Sequence, residues 1–217
     1  PFHIFVMADE EEGEVKLYSY EGEREPAAEK EISVGEKKGT YQPLGARSGK
    51  GVATFPNGDT YEGEYTAGQR HGQGKYTYSG GPPAEEGDEP PPPKGVYEGS
   101  WANDKKQGLG VMVYADGTKY HGNWERNKFS GQGAFYYANG DIYAGEWARG
   151  QKNGTGTYIY KATQTHLKGV WVNGVCQDGV FSDQYGNCFT GAFGTAEAQP
   201  LYGAGTFLNA SGATAVM

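Results

Sequence analysis

Residues 97–165 read YEGSWANDKKQGLGVMVYADGTK (97–119), YHGNWERNKFSGQGAFYYANGDI (120–142) and YAGEWARGQKNGTGTYIYKATQT (143–165). The segments restart on Tyr97, Tyr120 and Tyr143, 23 residues apart. Self-similarity at a fixed period of roughly 20–50 residues marks an array of stacked units. In each opening, Tyr-x-Gly-x-Trp alternates with period two: Tyr97, Gly99 and Trp101 fall on one strand face, Glu98 and Ser100 on the other. The second half alternates as well, with Gly131, Gly133, Phe135 and Tyr137 in one phase. A helix needs a period of about 3.6, which these strings lack.

Working outward, Tyr61 opens YEGEYTAGQRHGQGKYTY, 36 residues before Tyr97. That step is one period plus an insertion of 13, placed in the Pro-rich acidic stretch GGPPAEEGDEPPPPKG (80–95). Two looser copies follow, LKGVWVNGVCQDGVFSDQYGNC from Leu167 and FTGAFGTAEAQPLYGAGTFLNASG from Phe189. A half-unit precedes them, opened by Tyr20-Glu21-Gly22 and closed by GARSGKGVATFPNGD from Gly45. Polar residues such as Ala102–Gln107 separate the halves of a unit, and Asn57-Gly58, Asp116-Gly117 and Asn139-Gly140 stand between units as turn signals. Each unit is therefore predicted to be one β-hairpin. Glycine inside a strand costs about 0.5–1 kcal/mol relative to alanine. Gly63, Gly99, Gly122 and Gly145 are expected to offset this by letting aromatic rings lie against the backbone.

The composition agrees. Glycine is 37 of 217 residues and tyrosine 17, while hydrophobic residues make up 36%, so aromatic rings must form the core. Glycine does not recur every third residue, which excludes collagen. The net charge is −8. Residues 1–60 hold 7 basic against 12 acidic side chains, and residues 61–194 hold 12 against 14. No concentrated basic face exists to suit nucleic acid or an anionic membrane. Cys176 and Cys188 are the only cysteines and read as reduced, partly buried thiols rather than a disulfide framework. No apolar run reaches the roughly 20 residues of a membrane-spanning helix, so a soluble intracellular chain is expected. The hexapeptide PFHIFV (1–6) before Met7 is set apart as an upstream remnant.

YEGEYTAGQRHGQG, YEGSWANDKKQGLG and YAGEWARGQKNGTG resemble MORN repeats, of the membrane occupation and recognition nexus family. The resemblance covers about residues 45–194. It implies an all-β fold of tandem hairpins in an extended, twisted, groove-like antiparallel sheet. Leu167 in place of the opening Tyr, Gln177 in place of the first glycine of Gly-x-Gly, and Phe193 in place of Trp depart from the pattern. The expected division is an acidic, irregular segment over 1–44, disordered over 8–38, then the array over 45–194 with its Pro-rich loop 80–95, then a degenerate last repeat over 195–217.

Candidate chemistry is sparse. His71 sits in a repeat turn and His121 beside Tyr120; with His3 and His166 they complete the histidines. His166, Cys176 and Cys188 could be imagined as three zinc ligands, but the tight Cys-x2–4-Cys pairing is missing. Glu62 and Glu64 follow from the repeat and read as solvated. The Gly-x-Gly pairs at 72/74, 108/110, 131/133, 154/156 and 203/205 open no helix, which disfavours a phosphate loop. No catalytic, cofactor-binding or metal-binding residue is assigned, and no cofactor is expected. Pro90–Pro93 could form a polyproline II docking segment; a solvated excursion is the favoured alternative. The order of features, from the acidic start through FPNGDTYEGEY to LKGVWVNG, resembles radial spoke head MORN proteins. That resemblance implies a non-enzymatic scaffold in the axoneme of motile cilia and flagella, bound to other spoke head proteins, a paralogous or identical MORN chain, and central apparatus projections. The competing reading is a phospholipid-binding or membrane-junction module.

Overall fold

The computed structural model describes residues 3–7, 16–28, 30–34, 37–41, 45–81, 89–193, 205–211 and 214–216. Among them every regular element is a β-strand, and no helix is long and apolar enough to cross a membrane. The chain divides into two compact units, Pro1–Lys105 and Lys106–Met217. The first holds β1 (His3–Met7), β2 (Lys16–Arg24), β3 (Lys30–Val34), β4 (Lys37–Tyr41), β5 (Arg47–Thr54), β6 (Thr60–Thr66), β7 (Gln69–Tyr78) and β8 (Gly95–Ala102). Its sheet runs β1-β2-β5-β6-β7-β8, antiparallel throughout, while β3 pairs with β4 alone. Starting at the boundary, β9 (Lys105–Tyr114) leads the second set. After it come β10 (Lys119–Glu125), β11 (Lys128–Tyr136), β12 (Ile142–Ala148), β13 (Gln151–Tyr160), β14 (Thr165–Val172), β15 (Val175–Ser182), β16 (Cys188–Ala192), β17 (Gly205–Leu208) and β18 (Thr214–Val216). These strands neighbour one another in sequence order.

Two kinds of turn alternate. Inside a hairpin the chain reverses over two residues that both carry positive φ: Ala67-Gly68, Arg126-Asn127, Arg149-Gly150 and Asn173-Gly174. This geometry matches the right-handed twist of the flanking strands. Asn-Gly and Asp-Gly occupy longer loops between hairpins. In Phe55–Asp59 the Phe55 amide donates to Asp59 O and the Gly58 amide to Phe55 O, both at 2.8 Å; the pattern repeats over 114–118, 137–141 and 183–187.

The register sets the glycines opposite one another. In the first unit Gly22, Gly51, Gly63, Gly74 and Gly99 pair in succession across five strands. In the second, Gly110, Gly122, Gly133, Gly145, Gly156, Gly169, Gly179, Gly191 and Gly205 do the same. The bare backbone of this belt receives the tyrosine rings. Tyr61, Tyr97, Tyr120 and Tyr143 are 0% exposed. Each hydroxyl donates to the carbonyl three residues on: Glu64 at 3.0 Å, Ser100 at 2.9 Å, Asn123 at 2.9 Å and Glu146 at 3.1 Å. A Cβ on Gly63 would stand 2.6 Å from the Tyr61 hydroxyl, and one on Gly122 would stand 2.7 Å from that of Tyr120.

Tryptophan ties one hairpin to the one before. Trp101, Trp124, Trp147 and Trp171 donate Nε1–H to the carbonyls of Gly74, Gly110, Gly133 and Gly156 at 3.1–3.2 Å. Each acceptor is the second glycine of a Gly-x-Gly pair. The rings also stand edge-on to tyrosines of both hairpins: Tyr143 meets Trp147 at 5.1 Å and Trp171 at 5.2 Å, a geometry worth about 0.5–1.5 kcal/mol beyond area burial. The first glycine of the pair has a separate task. Gly72 and Gly131 take φ of +62° and +61° beside the bulge that interrupts each hairpin.

Within the segment expected to be irregular, β2 and the β3–β4 hairpin are strands. Tyr20-Glu21-Gly22 opens as the repeats do, with Arg24 where most of them have tryptophan. Tyr20 is buried, its hydroxyl donates to Glu23 O at 2.8 Å, and Gly22 joins the belt. Residues 1, 2, 8–15, 29, 35, 36 and 42–44 of that segment lie outside the described residues.

One position breaks the pattern from within. Tyr65 stands where later repeats have Trp; it is 2% exposed, and its hydroxyl is buried without a hydrogen-bond partner. An unsatisfied buried hydroxyl costs about 1–3 kcal/mol, so Tyr65→Phe should stabilise the chain by about 1 kcal/mol, read as a higher denaturant midpoint. Trp124→Ala, which removes a buried ring and the bond to Gly110, should destabilise by about 3–5 kcal/mol. Gly122→Ala should also lower the midpoint, because the added methyl meets backbone and the Tyr120 hydroxyl. Unchanged unfolding of either of these two variants would contradict the ring-over-glycine packing.

Candidate interaction surface

The face opposite the tyrosines is open. In the first unit one row of cross-strand neighbours reads Glu21, Val52, Glu62, Lys75 and Glu98. These five residues are exposed or half-buried, and none of the four charged ones makes an ion pair among the described residues. Lys50, Glu64 and Gln73 form the facing row; Glu64 accepts the Gln73 amide at 3.1 Å. Gly51, Gly63 and Gly74 lie between the rows, and the whole encloses a depression of about 630 Å³. Backbone floors it and long polar side chains wall it, with four carboxylates against two lysines.

The second unit has the same architecture with different chemistry. Its row reads Val111, His121, Ala134, Ala144, Thr157, Lys168, Val180 and Thr190. Leu109 is 63% exposed, and Val113, Val170, Val172 and Val180 are exposed as well. A depression of about 550 Å³ lies over Gly145, Gly156 and Gly169, edged by Thr155, Thr157, Lys168, Val170 and Val180. The first unit thus offers charge, and the second offers aliphatic and hydroxyl groups.

On the tyrosine face, cations cap the rings. Arg70 lies 4.5 Å from the Trp101 ring, Lys106 4.8 Å from Trp124, and Lys152 4.5 Å from Trp171. Arg70 is held by Asp104, with Nε 3.0 Å from Oδ1. Burial among three rings pushes the Lys152 ammonium below its ordinary range. Sequence reading treated Lys106 as part of a polar turn and gave none of these residues a role. Their phase is the available signal: Arg70, Gly72 and Gly74 alternate, as do Lys106, Gly108 and Gly110, and Lys152, Gly154 and Gly156.

The imagined zinc ligands are not brought together. His166 pairs with Ser182, which pairs with Cys188, whereas Cys176 pairs with Trp171 six residues along β15. Among the described residues no three His, Cys, Asp or Glu side chains cluster to hold a metal ion. His71, His121 and His166 are exposed on separate strands; His3 lies in β1. Glu62 and Glu64 both lie on the depression, Glu64 capping the bulge. Both cysteines are free thiols. The Cys176 S–H points to Asp178 O at 3.7 Å, and burial, aided by the Asp178 charge, pushes the thiol up to about 11. The Pro-rich loop leaves β7 and returns on β8 without loss of register, since Tyr78 pairs with Gly95; residues 82–88 lie outside the described residues.

Residues 44–60, 61–81, 97–119, 120–142 and 143–162 match the family model of the MORN repeat. No curated protein sequence matches the chain. Among solved structures the chain is similar to the TCP10c domain of Drosophila melanogaster Sas-4, at 13% identity, 87% of this chain, 98% of that chain and a TM-score of 0.42. It is also similar to the TCP10 domain of Danio rerio CPAP in complex with a peptide of Danio rerio STIL, at 12% identity, 87% and 88% coverage and a TM-score of 0.40. The hairpins continue past the matched residues. Leu167 takes the tyrosine position, Trp171 keeps its bond to Gly156, and Phe193 meets Phe189 edge-on at 5.7 Å.

The thiolate is the reactive form of cysteine. Iodoacetamide at pH 8 should therefore label Cys188 well before Cys176 in the folded chain, and both equally in denaturant, read by peptide mass spectrometry. Equal native labelling would place Cys176 outside the core.

Proposed function

We propose, on the premise that this chain belongs to the MORN-repeat family, that it is a non-catalytic scaffold and protein-binding subunit of a cytoskeletal assembly, the radial spoke head of motile cilia and flagella. The observation that carries the reading is the open face of the first unit. There Glu21, Glu62, Lys75 and Glu98 stand in one row without ion-pair partners among the described residues. Fixed charges on a rigid sheet steer and register a protein partner more than they add raw affinity. A scaffold needs no residue that turns over. The radial spoke assignment rests on the order of sequence features from the acidic start to LKGVWVNG. The excess of carboxylates over lysines around the depression favours a protein partner over an anionic lipid surface.

A tagged chain purified from ciliated cells should recover radial spoke head subunits by mass spectrometry. Glu62→Lys with Glu98→Lys should lose them while circular dichroism and thermal unfolding stay unchanged, because both side chains are exposed. A partner set free of spoke subunits would end the specific assignment. Salt-sensitive capture of the wild-type chain on phosphatidylserine vesicles would favour the membrane reading instead.

A further inference from the structure

Pro90–Pro93 form no strand, although the ladder resumes at once, with Tyr78 opposite Gly95. Proline has no N–H to give a ladder and fixes its own φ, and a residue before proline is driven to the extended region. Four in a row therefore make a polyproline II turn with three residues per repeat. The run is pinned at its end, where the Lys94 amide donates to Tyr78 O at 2.9 Å. It is also pinned along its side. A Cβ on Gly80 would run into Pro92 O and stand 2.7 Å from Pro91 O and 2.9 Å from Pro91 Cβ, so the bare glycine lets Pro91 and Pro92 seat against it. All four prolines nevertheless remain exposed. With Pro91 and Pro92 against Gly80, Pro90 and Pro93, three residues apart, share the edge turned away from it.

We propose that Pro90–Pro93 is a ligand displayed in binding conformation for a partner groove lined by parallel aromatic rings and rimmed by basic side chains. Such grooves dock a preformed polyproline II helix between aromatic rings, and Pro90 and Pro93 are the pair that the Gly80 contact leaves free for them. Because the run is already held, little ordering entropy is left to lose on binding. The sequence sets the charge of the rim: Glu85, Glu86, Asp88 and Glu89 precede the prolines and only Lys94 follows. That flank suits a basic rim and is repelled by a groove with an acidic pocket. The inference stands apart from the radial spoke assignment and uses other residues.

The test titrates the full chain into two isotope-labelled modules followed by NMR. One is an EVH1 domain with a basic rim, and the other an SH3 domain with an acidic specificity pocket. Saturable shifts at the aromatic groove of the EVH1 domain are expected, with the SH3 domain at least about tenfold weaker. Pro90→Ala with Pro93→Ala should weaken EVH1 binding about tenfold or more, with thermal unfolding unchanged since neither residue is in the ladder. Gly80→Ala, which unseats Pro91 but leaves the prolines, should weaken it several-fold. A silent EVH1 domain, an SH3 domain that binds as well or better, or binding that survives the double proline variant would overturn the proposal.

Discussion

Everything in this chain depends on a tyrosine ring lying over paired glycines. The ring supplies the apolar area that the sequence lacks in leucine and isoleucine, and its hydroxyl finds a carbonyl three residues along its own strand. The glycines are required on both strands at once, because a side chain on either would occupy the space of the ring. A constraint on two strands becomes a constraint on all of them, since each glycine pairs on both sides. Tryptophan then closes the circuit by donating to the glycine carbonyl of the hairpin before it. Burial, hydrogen bonding and register thus come from the same few residues.

The cations on the tyrosine face fit this economy. A sheet one layer thick leaves the far side of each tryptophan without a covering layer. Arg70, Lys106 and Lys152 cover it with aliphatic stems and place charge over the ring face. In the hairpin of Tyr120 the position falls to Phe129, which stacks on that tyrosine at 3.8 Å. The loops add a second polar device. Asp59 and Asp141, both buried, accept bonds from Tyr76 and Tyr158 on the second strand of the following hairpin, anchoring each inter-hairpin loop.

Much of this was legible because the period is regular. The two-residue alternation around Tyr97, Gly99 and Trp101 assigned their face, and the 23-residue spacing gave the hairpins. The turns were legible in position: Asn57-Gly58 and Asn139-Gly140 lie in the loops between hairpins, and the polar stretches inside each unit hold the reversals, at pairs such as Arg126-Asn127 and Arg149-Gly150 with positive φ. Tyr20-Glu21-Gly22 was visible as a repeat opening, but the charged residues after it obscured the strand. The cation positions were missed because a lysine or arginine near a turn reads as solvated unless its phase with the following glycines is followed. The Gly80 contact that seats the proline run has no signal in the sequence.

The bond between tryptophan and the preceding glycine carbonyl makes the joints between hairpins interchangeable. Trp124 uses Gly110, and Trp147 uses Gly133, through the same atoms. A gene that lost the cassette encoding residues 120–142 would bring Trp147 to the carbonyl that Trp124 had left, with the belt unbroken. Length in such a chain is a heritable dial that recombination can turn in steps of one cassette, and a sheet of this kind can evolve as a molecular ruler without redesign of any joint.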